Sequence, residues 1–288
     1  MNTPDNYHKS HNTLKQDVGE LFKIFSKELK WQSEGEDTFC DVGTGPGDFF
    51  NDYIYPTISK KCNKIVLSDI SKEMLEYCQN NMQHSEKIEY KRFDIAAVNG
   101  IPIDLEGQFD HLTSMLVLHW VSDYRVALRN TLSLLRPQGG DCIVIFFSCN
   151  SFCKACNKLS NSSKWSSFTQ GRGLFILPFE DSNDSKKDFR NMMLDEGFRN
   201  INVDKKTILY DYGSASIMRE GLLSVCRPLE FIPKARREEF LDDLLPLMAE
   251  IAANRLDINT EKAKSLISVD LIVAYGQRLY IENEDDFS

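Results

Sequence analysis

The chain has 288 residues, is 42% hydrophobic and carries a formal net charge of −9. That length suits one elaborated domain, and that apolar fraction fills a core, so general disorder is excluded. The acidic balance excludes a protein that grips nucleic acid through a sequence-independent basic face.

The start, Met1-Asn2-Thr3-Pro4-Asp5, lacks a basic-then-apolar leader, and no apolar run approaches a membrane span. A soluble, cytoplasmic protein with no membrane and no nucleic-acid partner is therefore expected. Its oligomeric state is left open, a homodimer being one option.

From Tyr7 to Lys30, Leu14, Val18, Leu21, Phe22, Phe25 and Leu29 recur at three- and four-residue steps. This predicts an amphipathic cap helix over 7–30 whose start closes over a ligand. Phe39 to Val42 reads as a buried strand. The glycine-rich turn Gly43-Thr44-Gly45-Pro46-Gly47 follows, then a helix from Asp48 to about Ile58. Ile65 to Leu67 is a second strand, closed by Ser68-Asp69. Ser71 caps a helix to Met82, with Glu73 in its first turn.

Ile88 to Phe93 is a third strand, ending at Asp94-Ile95. Phe109 to Val117 is a fourth, running into Leu118-His119-Trp120. Asp123 to Leu135 is a helix stopped at Pro137-Gln138-Gly139-Gly140. Asp141 to Phe147 is apolar after its first residue, as in a central strand. Residues 149–184 break the alternation and read as an insertion over the sheet edge. Ser185 to Glu196 is a helix closed by Gly197. Ile201 to Tyr212 is a strand, residues from Ala215 to about Lys264 are helical, and Ser268 to Gln277 is a last strand. The expected fold is α/β: a single domain over 1–288, with a core at 36–147 and helical lid insertions at 149–184 and 214–264.

Strand, glycine turn, helix, strand and acid is how such a fold holds an adenosine-containing cofactor. Glycine lets the backbone come close to the ligand. The carboxylate of Asp69 is expected to accept from the two ribose hydroxyls. The spacing is G-x-G-x-G, and Asp48 stands where a dinucleotide binder carries its third glycine. A carboxylate there repels a pyrophosphate, which disfavours a dehydrogenase. Acids on both sides of the turn, Asp41 and Asp48, suit a ligand with a positive end, such as the ammonium and sulfonium of S-adenosyl-L-methionine. The cofactor-site candidates are Asp41, Gly43, Thr44, Gly45, Gly47, Asp69, Ile70, Asp94, Ile95 and Leu116. His119 and Trp120 fall at the C-terminal end of the fourth strand, where open α/β sheets bind ligands.

Eight cysteines are present, and without a secretion signal they are expected to be reduced thiols. Cys149, Cys153 and Cys156 invite a zinc reading, but structural zinc wants four ligands and no fourth lies nearby in sequence. No metal is expected.

The glycine segment resembles motif I of the class I methyltransferases. The chain as a whole resembles one branch of them, the arthropod juvenile hormone acid O-methyltransferases (farnesoic acid methyltransferases). The matching segments are Tyr7-His8-Lys9-Ser10 with Asp17, Asp41-Val42-Gly43, Ser68-Asp69-Ile70-Ser71-Lys72-Glu73-Met74, Phe109-Asp110, Leu118-His119-Trp120, Gly140-Asp141-Cys142 and Lys164-Trp165. The resemblance implies a Rossmann-like sheet of seven strands, mostly parallel, with the last antiparallel beside the fifth. It implies that Asp94 accepts from the adenine amino group, with an apolar neighbour on the ring. It also implies methyl transfer to the carboxylate of a small hydrophobic acid, of the farnesoic or juvenile hormone acid kind. Trp120 then holds the substrate carboxylate through its indole N–H, and His119 either adds a second donor or simply packs.

In one respect the chain departs from that family. Members commonly carry a glutamine in the N-terminal helix that pairs with Trp120, and Leu14 occupies that position here. Gln16 is close in sequence but about 200° round the helix. Either an irregular helix start brings Gln16 to the site, making it the third catalytic candidate, or the carboxylate clamp is incomplete. Two alternatives follow: a methyltransferase for another small acid or an amine, and a cofactor-binding protein without turnover. A lid lined by Phe146, Phe147, Phe152, Trp165, Phe168, Phe175, Ile176, Leu177 and Phe179 is what a long apolar acceptor requires.

Overall fold

The computed structural model describes residues 12–32, 35–82, 85–170, 172 and 175–279. Seven strands form one sheet: β1 (Asp37–Val42), β2 (Cys62–Asp69), β3 (Ile88–Arg92), β4 (His111–Met115), β5 (Asp141–Asn150), β6 (Arg199–Asp211) and β7 (Leu266–Gln277). Their order is β3-β2-β1-β4-β5-β7-β6. β1 to β5 run parallel, and β7 runs antiparallel to both β5 and β6. The expected Rossmann-like arrangement is therefore present. β5 and β7 are central and buried almost throughout, whereas β3 and β6, at the edges, are half-exposed.

The helices follow from local signals. α1 (Asn12–Phe25) continues into a tight turn, Ser26–Glu28. Tyr7 to His11, where the cap helix was expected to begin, lie outside the described residues. The helix expected from Asp48 is wound wide over Phe50–Ile54 and continues as the short α2 (Tyr55–Ile58). Pro56 lacks the N–H that a regular turn would direct back to Asp52. The Ser71 hydroxyl caps α3 (Lys72–Asn81) by accepting from Met74 N at 3.2 Å. Asp123 caps α4 (Tyr124–Leu134).

The stretch 149–184, expected as a helical insertion, holds α5 (Ser151–Ser160), capped by Asn150, and α6 (Ser166–Thr169). α7 (Ser185–Asp195) follows. Then come α8 (Ala215–Val225), a tight turn at Arg227–Glu230, α9 (Arg237–Leu256) and α10 (Thr260–Ala263). α9 runs through Pro246, which lies on its exposed face. One core fills the face of the sheet under α1, α5, α8 and α9, and a second fills the face under α4 and α7.

One polar group crosses the N-terminal edge of the sheet. Asp37, His111 and Asp141 open three adjacent parallel strands, and all are buried. His111 Nδ1 lies 2.6 Å from Asp141 and Nε2 lies 3.0 Å from Asp37. Asp141 also accepts from Lys30 N at 2.7 Å and from the Tyr275 hydroxyl at 3.2 Å. Burial pushes the imidazole down, and the hydrogen bonds and charges of Asp141 and Asp37 outweigh it and hold His111 above its ordinary value.

His111→Leu leaves two carboxylates buried without their shared partner, so chemical denaturation should show a loss of about 3–5 kcal/mol at pH 6. A group raised on folding stabilises in full below its unfolded value, about 6.5, and the benefit fades as pH rises through the folded value. The gap between wild type and variant should therefore shrink from pH 6 upward. A gap that widened with pH would contradict the assignment.

Candidate active site

The C-terminal ends of β1 to β4 and the loops after them enclose a cavity of about 760 Å³. Its floor starts at the glycine turn. Gly43 N and Thr44 N donate to Ser68 O at 2.8 and 2.9 Å, which ties the turn to the end of β2. Asp69 completes the tie. One of its oxygens accepts from Gly45 N at 2.9 Å and the other from Ser71 N at 2.8 Å. Burial raises the Asp69 carboxyl above its ordinary value, and these backbone N–H groups oppose that rise. Ile70 beside it is exposed into the cavity, and its carbonyl accepts from Arg92 Nε at 2.9 Å. Asp94 and Ile95, just after β3, line the next part of the wall. Asp94 accepts from Ala96 N at 2.8 Å, which fixes its rotamer.

Past β4 the chain makes a strained turn. Leu116 has φ +59°, a left-handed conformation that a branched residue adopts only when its surroundings impose it. Its N–H bonds to Ile145 O at 2.6 Å. The turn brings Leu116, Val117 and Trp120 to the cavity wall. The Trp120 ring packs on Phe175 with centroids 5.0 Å apart, and its indole N–H has no acceptor among the described residues.

Of the expected site residues, Gly43, Gly45, Asp69, Ile70, Asp94, Ile95, Leu116 and Trp120 share this one cavity. The others are placed elsewhere. Asp41 is buried beneath the turn, accepts from the Thr113 hydroxyl at 2.6 Å, and is pushed up to about 6 by burial. Thr44 and Gly47 are buried and do not line the cavity. His119 is buried beside Trp120, its ring centroid 4.2 Å from that of Phe147, and does not line the cavity. Gln16 is exposed on α1, so no irregular helix start brings it in, while Leu14 packs on the larger core.

Asp48 was expected to present bare charge beside the turn. Instead Lys15 of α1 pairs with it at 2.8 Å and with Asp52 at 2.7 Å. The aromatic residues expected to line a channel are also placed differently. Phe146, Phe147, Phe152, Trp165, Phe168, Phe175, Ile176, Leu177 and Phe179 pack in the two cores and do not line the cavity. Trp165 donates to Asp243 at 2.8 Å, joining the first insertion to α9. Its apolar wall comes from Met115, Val121, Leu223, Cys226 and Leu229 instead, together with Arg227 and Arg237. No motif marked these second-insertion residues. Among the described residues, no cluster of histidine, cysteine and acid could hold a metal ion, and no helix is long and apolar enough to cross a membrane.

Residues 40–143 match the family described as "Methyltransferase domain". The chain is 31% identical to a juvenile hormone acid O-methyltransferase of Drosophila melanogaster, over 96% of this chain and 93% of that one. The chain belongs to this family. It is a class I methyltransferase with S-adenosyl-L-methionine as cofactor. The protein of the same name from Bombyx mori is 29% identical over 97% of this chain and 98% of its own. Among solved structures, the YcgJ protein of Bacillus subtilis shares the fold, with a TM-score of 0.59 at 16% identity over 92% of this chain and 98% of that one.

Two glycines of this methyltransferase should respond differently to a methyl group. Both have positive φ, +57° at Gly45 and +85° at Gly47. A Cβ on Gly45 meets nothing within 4 Å, whereas one on Gly47 lies 2.4 Å from Cys78 Sγ and 2.8 Å from Met82 Sδ. Gly45→Ala should cost about 1–2 kcal/mol from backbone strain alone. Gly47→Ala should cost about 1–3 kcal/mol more, because α3 must move. Equal losses in denaturant titrations would show that Gly47 is not a packing residue.

Proposed function

We propose that this methyltransferase methylates the carboxylate of a small hydrophobic acid of the isoprenoid kind, such as farnesoic or juvenile hormone acid. The observation that carries this reading is Trp120: a half-buried indole in an apolar wall, beside the cofactor end of the cavity, whose N–H has no acceptor among the described residues. Buried tryptophans ordinarily satisfy that donor, so an acceptor group on a ligand is the fitting partner. The names of the relatives point to the same class of substrate.

The residues present fit S-adenosylmethionine. The space beside Gly45 is open. The Asp69 carboxylate offers about four acceptor sites, and two backbone N–H groups occupy one on each oxygen. The carboxylate also lines the cavity, where it keeps acceptor capacity for the ribose hydroxyls. Asp94 and Ile95 are placed to take the adenine, the acid on its amino group and the apolar chain against its ring. The bound cofactor supplies an electrophilic sulfonium methyl group.

The chain's own task is then modest. A carboxylate with a pKa near 4–5 is already ionised at neutral pH, so no base is required. That agrees with His119 lying outside the cavity. Trp120 donates to one carboxylate oxygen and orients the other. Val121, Leu223 and Leu229 exclude water, which removes hydration from the nucleophile. We read the chain as one methyltransferase domain, with the core at 36–147 carrying the cofactor, the insertion at 214–264 forming the acceptor side, and the insertion at 149–184 packed behind Trp120 through Phe175.

Methyl transfer from labelled cofactor to farnesoic acid, beside shorter acids and amines, tests the reading. Label in the farnesoate ester is expected, and label confined to amines would overturn it. Asp69→Ala should weaken cofactor binding in calorimetry by about 2–4 kcal/mol. Trp120→Ala should spare cofactor binding and depress turnover; loss of both would make Trp120 a structural residue.

A further inference from the structure

The cavity extends past Trp120 to the stretch after α8, where two arginines face it. Arg227 and Arg237 are both half-buried and both line the wall. The Arg227 guanidinium carbon lies 5.6 Å from the centroid of the Trp120 ring. Arg237 opens α9 and spends Nε on Ile232 O at 3.3 Å.

Their ion pairing differs from that of their neighbours. Arg219 pairs with Glu238 and Asp242, and Arg236 pairs with Glu239. Among the described residues, no acid pairs with Arg227 or Arg237. The acids of the cavity stand mainly elsewhere: Asp69, Glu73 and Asp94 belong to the segments after β2 and β3, at the far side of the sheet order, with Glu230 at the rim beside the arginines. A half-buried guanidinium that meets an aromatic face and, among the described residues, no paired acid keeps its donors for a ligand. It suits a planar carboxylate, which a guanidinium binds with two parallel hydrogen bonds.

We infer that Arg227, with Arg237 behind it, is the anion anchor of the acceptor site, holding the acceptor carboxylate against Trp120 and selecting anionic over neutral acceptors. This rests on the carboxylate reading above. It accounts for Leu14. With leucine at position 14 and Gln16 exposed, the second donor to the carboxylate comes from the second insertion and carries a full charge.

Calorimetric titration of the enzyme loaded with S-adenosylhomocysteine tests this. The probes are farnesoic acid and its primary amide, which share a chain and differ in charge. Arg227→Met should weaken acid binding about 10- to 100-fold. Amide binding should stay within about threefold, and S-adenosylhomocysteine affinity should not change. Arg227→Lys should recover part of the acid affinity, and Arg237→Met should show a smaller loss in the same direction. Undiminished acid binding by Arg227→Met, or an equal loss for acid and amide, would overturn the anchor alone. A wild-type enzyme that binds no acid would instead remove the carboxylate reading, and the anchor with it.

Discussion

The contact on which the site depends is the Asp69 carboxylate, held between the N–H groups of Gly45 and Ser71. It joins the last residue of β2 to the glycine turn after β1 and to the N-cap of α3 in one step. Parallel pairing sets β1 against β2, but pairing ends at Val42 and Ser68. Beyond that point only side chains and turns can fix the backbone. The Gly43 and Thr44 N–H groups on Ser68 O, and the Asp69 clasp, do so. The same carboxylate is thus a structural clasp and part of the cavity wall; burial raises its protonation and the backbone N–H groups oppose that rise.

From that clasp the cavity follows the sheet order. Asp94 comes after β3, Asp69 after β2, the glycine turn after β1, and the Leu116–Trp120 turn after β4. Parallel strands that all end on one edge place these residues side by side. Of the acids in the cavity wall, Asp69, Glu73 and Asp94 stand at the β3–β2 end, and the arginines of the second insertion, with Glu230 at the rim, at the β4 end. The core therefore suits the hydroxyls and amino group of an adenosine, while the insertion suits an anion. At the opposite edge, His111 clamps the starts of β1, β4 and β5. One edge of the sheet thus carries stability and the other carries chemistry.

Much of this was legible in the residues. The strands and the glycine turn announced themselves through apolar runs and the G-x-G-x-G spacing; Asp69 was found because it ends a strand, and Asp94 and Trp120 because each lies shortly after one. What stayed hidden had physical reasons. α5 is an amphipathic helix whose buried stripe is written with Cys153, Ala155 and Cys156 beside Phe152 and Leu159, so it read as a polar insertion. Lys15 neutralises Asp48 from 33 residues away, a pairing no local pattern reveals. Aromatics such as Phe146 and Phe179 carry no sign of which side of a strand or loop they take, and they went to the core. Arg227 and Arg237 reach the cavity only because α8 and α9 fold back over the sheet.

We propose that a single cavity holds the cofactor at Asp69 and an acceptor carboxylate at Trp120. A crystal structure with S-adenosylhomocysteine and farnesoic acid bound tests it most directly. The account predicts ribose hydroxyls within hydrogen-bonding distance of Asp69 and a carboxylate oxygen within the same distance of Trp120 Nε1. An acid bound with its apolar end at Trp120, or outside the cavity, would contradict it.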